Sequence, residues 1–318
     1  MSKGVFSPKT WLLLAAAVAC MAVAPQFLSR FYTYLISLVL VTGLLAMSLN
    51  LVLGYGGLYQ FHHAVFYGVG AYTFALMRVK TGLPSIWAYL AAPVAALLLS
   101  LLIGWICVRL SKLYFGMLQI SLGSLVWAIV YRWYSFTGGD DGIHGVPIPE
   151  ALSSIDNAYY FTSAVTLVCL FVMYLIVNSP FGRVFQATRD NPERSEAIGV
   201  NVKRQQLVGL MVAGFFAGVA GSLFVTIEGS VFPDMMFWTL SLEILIMCLL
   251  GGWFSFFGPM LGAAIVVVLR TVMGIHTEYW TLILGVMLML LIFFLPEGVL
   301  GYFTARWGSR RRAAMEDL

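Results

Sequence analysis

Apolar runs separated by short polar breaks fill most of this chain. They extend roughly over residues 11–28, 32–54, 61–79, 86–109, 113–134, 158–178, 204–228, 238–251, 257–274 and 279–295. Each run is long enough, or nearly long enough, for a helix that crosses the ~30 Å hydrocarbon layer of a bilayer. The pattern predicts an all-α polytopic membrane protein with about ten transmembrane helices. Counts of eight or nine also fit, because several runs are short or interrupted by glycine.

Composition leaves little chain for a soluble domain. Of the 318 residues, 61% are hydrophobic and 10% are charged, and the mean hydropathy is +0.91. Soluble globular domains carry about 25% charged residues. We therefore expect one transmembrane domain over residues 1–318. The first apolar run also resembles a signal peptide, but Pro25 directly after the sequence Ala22-Val23-Ala24 favours an uncleaved first helix.

The distribution of lysine and arginine predicts the orientation. Ten spans with a cytoplasmic N-terminus place 13 of the 18 Lys and Arg residues on the cytoplasmic side. Cytoplasmic loops of membrane proteins carry such an excess. The charges therefore predict that both termini and the loop at 179–204 are cytoplasmic. The longest loop on the opposite side, 135–157, has four acidic residues and no Lys or Arg.

The loop at 179–204 concentrates charge, since eight of its 26 residues are charged. Its sequence predicts two short helices that each open with proline after a capping side chain, the second one followed by a glycine suited to a left-handed helix end. These residues are Ser179 with Pro180, Asp190 or Asn191 with Pro192, and Gly199. Such a loop meets water or a soluble partner. An ordinary polar connection between two membrane helices is the alternative.

A faint internal repeat relates the two halves of the chain. Gly56-Gly57 and Gly251-Gly252 each end one apolar run before the next begins, 195 residues apart. Paired glycine breaks in two halves of a transporter indicate a translocation path. Close packing of helices through small residues is the alternative interpretation. Our span assignment places both turns on the same side of the membrane.

A few polar side chains inside apolar runs are further candidates for the path. Glu243 is the one acid well inside such a run, where a charge costs roughly 2–3 kcal/mol and should face a cavity or a partner. Asn50, Gln60 and Gln119 are weaker candidates of the same kind. A structural hydrogen bond between helices explains Glu243 equally well.

Motifs for enzymatic or metal chemistry are absent from the sequence. It contains no Gly-x-x-x-x-Gly-Lys-Ser/Thr phosphate-binding loop, so we expect no ATP site and no cofactor on this chain. The four cysteines lie far apart in apolar runs, and no Cys/His spacing suggests a metal or a disulfide. His62 and His63 adjoin the first Gly-Gly turn, where we expect turn or interface residues. We therefore expect a protein that is not an enzyme.

Several short motifs together resemble a known family over nearly the whole chain. They are Ser48-Leu-Asn-Leu, Gly54-Tyr-Gly-Gly, Gly68-Val-Gly-Ala-Tyr72, Tyr114-Phe-Gly-Met, Thr137-Gly-Gly-Asp-Asp-Gly-Ile143, Ser179-Pro-Phe-Gly-Arg183, Arg189-Asp-Asn-Pro192, Glu196-Ala-Ile-Gly199, Leu250-Gly-Gly252, Gly258-Pro259 and Pro296-Glu-Gly298. The chain is similar to LivM-type permease subunits of branched-chain amino-acid ABC importers in the bacterial inner membrane. Relatives of such permeases carry urea, short amides or aromatic acids.

The resemblance implies a set of partners and the residues that contact the ATPase, which add to the path residues already selected from the sequence pattern. The partners are a LivH-type sister permease, two ATP-binding subunits of LivG and LivF type, and a periplasmic solute-binding protein. The implied contacts to the ATPase are Arg189, Asp190, Asn191, Pro192, Glu196, Ala197, Ile198 and Gly199, with Ile198 where the general coupling motif has alanine. The expected path residues are Asn50, Gly56, Gly57, Gln60, Gln119, Glu243, Gly251 and Gly252.

The expected function is a channel-forming subunit of an ATP-driven importer for branched-chain amino acids or related small polar or carboxylate solutes. Two other classes were compared with it. A secondary transporter driven by an ion gradient would need a relay of intramembrane charges, and Glu243 stands alone. A membrane-embedded enzyme would need clustered catalytic residues, and only His62-His63 hints at them.

Overall fold

The structure is a computed structural model, and it describes residues 21, 25–110, 112–276, 279, 282–283, 285–287, 289 and 298–300. Within these residues the regular structure is helical, apart from an isolated antiparallel bridge between Ile143 and Val231. The helices are α1 (Arg30–Asn50), α2 (Ala64–Leu76), α3 (Ser85–Cys107), α4 (Lys112–Arg132), α5 (Tyr134–Thr137), α6 (Ile155–Asn178), α7 (Pro180–Asp190), α8 (Pro192–Ala197), α9 (Val202–Glu228), α10 (Trp238–Gly251) and α11 (Gly258–His276). Short π-helices follow α1 and α2, at Leu51–Tyr55 and Met77–Thr81.

Six of these helices are long and apolar enough to cross a membrane: α1 with its π-helical extension, α3, α4, α6, α9 and α11. Helix α10 is apolar but has only 14 residues. The prediction of a polytopic helical membrane protein is confirmed. The predicted spans 11–28 and 279–295 lie largely outside the described residues, so the count of ten stays a prediction.

The core lies where α9 packs against α1, α2 and α3. In the most apolar part of α1 and of α9, 72% and 67% of the residues are buried. In the same part of α4 only 28% are buried, so α4 lies at the periphery. Small residues allow the close approach of α9 and α2, as is usual in membranes. The backbone of Gly218 lies against Gly70, and Gly221 lies against the carbonyl of Tyr67.

The segments 135–157 and 179–204 lie at opposite ends of α6, which connects them. Contacts with distant backbone order 135–157 over much of its length. The Arg78 side chain donates from Nε to the Pro147 carbonyl at 2.8 Å, and Lys80 donates to the Ser135 carbonyl at 3.1 Å. The bridge from Ile143 to Val231 brings the end of α9 to the same surface. The predicted polar loop 135–157 is therefore a structured cap on one end of the helices.

The chain between α1 and α2 is irregular and buried. Helix α2 begins inside the protein, because the Ala64 N–H donates to Ser241 Oγ at 2.9 Å. One residue earlier, His63 Nε2 and Ser48 Oγ are hydrogen bonded at 2.7 Å. All four residues are buried. Irregular backbone at membrane depth is tolerated where protein surrounds it.

Candidate functional site

The two short helices predicted in 179–204 are present with the expected caps. Ser179 Oγ accepts a hydrogen bond from the Gly182 N–H at 3.2 Å at the start of α7. Asn191 Oδ1 accepts from the Arg194 N–H at 2.8 Å at the start of α8. Gly199 follows α8 with φ +88°, the left-handed end that favours glycine. The sequence offered Asp190 or Asn191 as the N-cap of the second helix, and the N-cap in the structure is Asn191.

Helix α8 presents a small surface that the rest of the chain leaves uncovered. Glu196, Ala197 and Gly199 are exposed, and Ile198 is 75% exposed. On the opposite side Ser195 is buried, and its hydroxyl donates to the Asn191 carbonyl at 2.9 Å. An isolated exposed isoleucine beside alanine and glycine is a compact apolar projection that a partner's groove can accept.

Helix α7 is fixed to the membrane helices by Phe185, which is 3% exposed. Its ring occupies the space where a side chain at Gly56 or at Gly209 would lie. The ring also stacks on Phe181, with 5.7 Å between centroids. Sequence reasoning did not select Phe185 as a functional residue, because the glycines that receive it are far away in the chain.

Arg189 joins α7 to the first Gly-Gly turn. Its Nη1 donates to the carbonyl of Gly54 at 2.5 Å, and its Nε and Nη2 both donate to Asp190 Oδ1, at 2.9 and 2.7 Å. The guanidinium carbon lies 5.6 Å from the ring centroid of Phe254, just beyond the second turn. The side chain of Arg189 is only 26% exposed. Arg189 therefore makes contacts inside the protein, and its predicted contact with the ATPase stays a prediction.

Arg189 lies between the first Gly-Gly turn and Phe254, which follows the second turn. Gly57 has φ +67° and Gly252 has φ +105°, conformations that L-residues with side chains rarely adopt. A side chain at Gly57 would collide with Arg189, and one at Gly54 would collide with the carbonyl of Trp253. Residues of the first turn and of α7, with Trp253 and Phe254 directly after the second turn, line one cavity of about 460 Å³. We call this group the Arg189 cluster: Gly54, Gly56, Gly57, Phe185, Arg189, Asp190, Trp253 and Phe254.

Three other predicted path residues do not line this cavity. Asn50, Gln60 and Gln119 are 1%, 1% and 2% exposed, and neither polar atom of each amide has a hydrogen-bond partner among the described residues. Gly116 and Gly123 lie on the same face of α4 as Gln119. Gly116 packs against Phe61, and Gly123 packs against His62. A buried unpaired amide is costly, so such groups need an explanation.

Glu243 lies elsewhere, in a second cavity of about 600 Å³ among α1, α9, α10 and α11. Its Oε1 is 3.6 Å from Arg270 Nη1, and its side chain is 13% exposed. In the same cavity the Tyr34 hydroxyl donates a hydrogen bond to Glu228 Oε1. Glu243 thus lines a cavity and also lies near a charged group of another helix, so both alternatives stay open and its place on the path stays a prediction. This cavity shares no lining residue with the one at the Arg189 cluster.

Among the described residues, no group of three or more His, Cys, Asp and Glu side chains could hold a metal ion. His62 and His63, the one pair that hinted at chemistry, are 2% and 0% exposed. His63 is bonded to Ser48, and His62 packs against Gly123. Both histidines are thus placed as packing residues around the start of α2.

Comparison with known proteins decides the family. The family model "Branched-chain amino acid transport system / permease component" matches residues 31–292. This chain belongs to that family. The match spans every long helix described above, the Arg189 cluster and the Glu243 cavity, so both regions are parts of the family domain.

Curated relatives agree with this assignment. The high-affinity branched-chain amino acid transport system permease protein LivM of Escherichia coli K12 is 29% identical, over 91% of this chain and 74% of its own length. A probable LivM of Methanocaldococcus jannaschii is 23% identical, over 81% and 89%. The autoinducer 2 import system permease protein LsrC of Escherichia coli O9:H4 is 28% identical, over 74% and 69%. No solved structure matches the chain.

The chain is therefore a channel-forming permease subunit of an ABC importer in a membrane. Its relatives are transport subunits rather than enzymes. Permeases of this kind work with ATPase subunits and a solute-binding protein. The family assignment therefore excludes an ion-coupled secondary transporter as the function of this chain.

Proposed function

We propose that this chain lines the solute path of an ATP-driven importer for branched-chain amino acids or related small polar or carboxylate solutes. The names of two relatives that match more than four-fifths of the chain support the solute class. LsrC, which imports a different solute class, is also similar over 74% of the chain. The family fold thus serves several solutes, and selectivity must come from particular side chains.

The contacts of Arg189 with the first Gly-Gly turn and with Phe254, which follows the second turn, carry the proposed mechanism. We place the ATPase on the exposed surface of α8, at Ala197 and Ile198. When ATP binding closes the ATPase dimer, α8 moves and α7 follows, because Phe185 and Arg189 hold it to the turns. The helices flanking those turns, α1, α10 and α11, then rearrange around the path. This is alternating access by movement of packed helices.

The role of the predicted coupling residues divides accordingly. Glu196, Ala197, Ile198 and Gly199 form the contact surface, while Asn191 and Pro192 build the start of α8. Arg189 and Asp190 transmit the movement inside the permease. The buried, unpaired amides of Asn50, Gln60 and Gln119 suit a path that is closed in this conformation. Such groups find partners in water or solute when the path opens.

The proposal extends to topology and partners. Ten transmembrane helices, with both termini and 179–204 in the cytoplasm, fit the excess of basic residues on that side. The sister permease is of LivH type and the two ATPases are of LivG and LivF type. The segment 135–157 would receive the periplasmic binding protein on its acidic surface. The chain would lie in the inner membrane of a bacterial cell.

Cysteine labelling tests the orientation on which the mechanism depends. In a variant without the native cysteines, a cysteine replacing Asp141 should react with an impermeant thiol reagent from outside the cell. A cysteine replacing Arg194 should react only after the membrane is opened, although both positions are exposed. A reversed pattern would place α8 outside and would refute the proposed ATPase contact.

A further inference from the structure

The fully buried positions of α4 form one narrow stripe. Within residues 113–132, where the structure describes burial, they are Phe115, Gly116, Gln119 and Gly123. Spacings of three and four place them on one face of the helix, and we call them the α4 stripe. Helices in a membrane associate through close packing and through hydrogen bonds between them. The contact that this stripe makes therefore depends on how its glycines pack and on whether its amide is bonded.

The α4 stripe faces residues 58–63, which join the first Gly-Gly turn to α2 and which we call the turn segment. A Cβ at Gly116 would lie 2.7 Å from a ring carbon of Phe61, and a Cβ at Gly123 would lie 2.5 Å from His62 Cγ. Glycine alone permits so close an approach. The helix and the turn segment are thus in direct contact, with no apolar side chain of α4 between them at either glycine.

Polar groups at this contact and beside it have no partners. Both amide atoms of Gln60 and of Gln119 and both ring nitrogens of His62 are buried without a hydrogen bond among the described residues. The three side chains are only 1%, 2% and 2% exposed. Along α4, Gln119 lies between the two glycine contacts. Buried polar groups without partners destabilise the arrangement that buries them, so separation of α4 from the turn segment is favoured by any group that can bond them.

The two ends of α4 are held differently. Near its C-terminal end, Trp127 packs on Phe237 with 4.9 Å between ring centroids. The hydroxyl of Thr137 donates to the Val130 carbonyl at 2.6 Å, which fixes this end to the structured cap that follows it. The N-terminal half has the α4 stripe instead. A rotation about the C-terminal end would therefore part the stripe from the turn segment and leave the other contacts in place.

We propose that the N-terminal half of α4 is a gate of the solute path, closed on the turn segment in this conformation. When it moves away, Gln60, His62 and Gln119 bind hydrogen-bonding groups of water or of the passing solute. The inference rests on the proposed importer function. It adds to that function a moving helix and a polar role for His62, whose ring also packs against Gly123.

The turn segment connects this gate to the Arg189 cluster. It begins directly after Gly57, where a side chain would collide with Arg189. Tyr59 lines the cavity at that cluster and stacks on Phe61, with 6.4 Å between ring centroids. Phe61 is the residue that meets Gly116. A displacement of α7 therefore reaches α4 through a few residues of packed chain.

A cross-link between the two elements tests the gate. A Cβ at Gly123 would lie 2.5 Å from His62 Cγ, which is one bond from the Cβ of residue 62. Cysteines at the two positions can therefore reach the ~3.5–4.5 Å Cβ separation of a disulfide. The variant with both His62→Cys and Gly123→Cys, without the native cysteines, is reconstituted with its sister subunit, ATPases and binding protein. Uptake of radiolabelled leucine and ATP hydrolysis are measured after oxidation and after reduction.

We expect oxidation to abolish leucine uptake and reduction to restore it, while basal ATP hydrolysis continues in both states. The gate then differs from a contact that is needed only for assembly, because assembly would fail in both states or in neither. If the reduced protein has no uptake of its own, the accessibility of Gln119 decides.

The variant Gln119→Cys reports the opening of the gate in a complex that hydrolyses ATP. Its reaction with a small hydrophilic thiol reagent should be fast in one of the nucleotide-free and ATP-bound states and slow in the other. Ser121→Cys is the control, because Ser121 is exposed on another face of α4 and should react equally in both. Fast reaction without leucine identifies water as the first partner of the amide. Fast reaction only with leucine-loaded binding protein identifies the solute.

The variant Gln119→Leu keeps the size of the side chain and removes its hydrogen bonds. We expect about tenfold lower leucine uptake, the upper range for one neutral hydrogen bond, with Gln119→Asn in between. Any of three results would overturn the gate: uptake by the cross-linked protein, equal reaction of Gln119→Cys in both nucleotide states, or wild-type uptake by Gln119→Leu. Absence of ATP-driven uptake by the wild-type complex would instead refute the importer function itself.

Discussion

The Arg189 cluster and the Glu243 cavity are built in different ways. In the first, a buried ring and a guanidinium are pressed against glycine backbone, and a side chain at Gly57 would collide with Arg189. In the second, charged side chains face a cavity in which the Glu243 and Arg270 atoms stay 3.6 Å apart. The close-packed region can transmit a displacement, since packed contacts change in discrete steps. The open region contains space and charged groups instead of packed contacts. Variants in one region should therefore spare the function of the other.

The largest effect is expected at the surface of α8, with Ala197→Arg. A long cation at an exposed small residue would clash with a fitted groove and bring an unpaired charge into a desolvated contact. That costs a few kcal/mol, which lowers the affinity for the ATPase about a hundredfold or more. Co-purification of the ATPase measures the loss. Assembly with the sister permease should remain at the wild-type level.

Ala197→Ser is the control for this substitution, because it keeps a small side chain at the same exposed position. It should bind the ATPase like the wild type. If Ala197→Arg retains both the ATPase and uptake, then α8 is only a connection between helices. The proposed transmission of movement from the ATPase through α8 to the Arg189 cluster would then have no starting point.

A smaller effect is expected inside the Arg189 cluster, with Arg189→Gln. This change removes the charged donor to Gly54 and the contact over Phe254, while the exposed surface of α8 stays unchanged. The lost hydrogen bond is worth about 1–2 kcal/mol at a partly exposed site, roughly a tenfold change. We expect normal ATPase binding but about tenfold less solute transported per ATP hydrolysed.

Arg189→Lys tests what the fork of the guanidinium contributes. A lysine keeps the charge but cannot bond the Gly54 carbonyl and Asp190 in the same planar arrangement. An intermediate ratio of transport to ATP hydrolysis is expected. If both variants transport normally, Phe185 alone connects α7 to the turns, and the link through Arg189 carries no movement.

Features that depend on neighbouring residues could be predicted from the sequence. Ser179, Asn191 and Gly199 act on backbone a few positions away, so their capping roles follow from residue type and spacing. The long apolar helices follow from the same local logic. The isolation of Glu243 in an apolar run predicted a cavity or a polar partner, and Glu243 has both.

Features that depend on tertiary packing could not be predicted. Tyr34 and Glu228 are 194 positions apart, and Glu243 and Arg270 belong to different helices, so neither pair could be seen in the sequence. Phe185 fits against Gly56 and Gly209, which nothing in a single sequence connects. The resemblance implied that Arg189 contacts the ATPase, and its bond to the distant carbonyl of Gly54 could not be read from the sequence.

The smallest effect is expected from Asn191→Ala. This variant separates the conformational order of α8 from the chemistry of its exposed surface, because it removes the N-cap and leaves the surface residues unchanged. The variant loses the hydrogen bond that Asn191 Oδ1 accepts from the Arg194 N–H. Loss of such a cap costs about 1 kcal/mol. The Ser195 hydroxyl still donates to the carbonyl of residue 191, so the first turn keeps one of its contacts. We expect the affinity for the ATPase to fall about fivefold, measured by titration of the immobilised permease complex, with faster amide exchange in 192–197.

Asn191→Asp retains the accepting oxygen and adds a charge that suits a helix N-terminus, so it should match the wild type. Equal affinity in all three proteins would mean that docking of the ATPase, rather than the cap, orders α8.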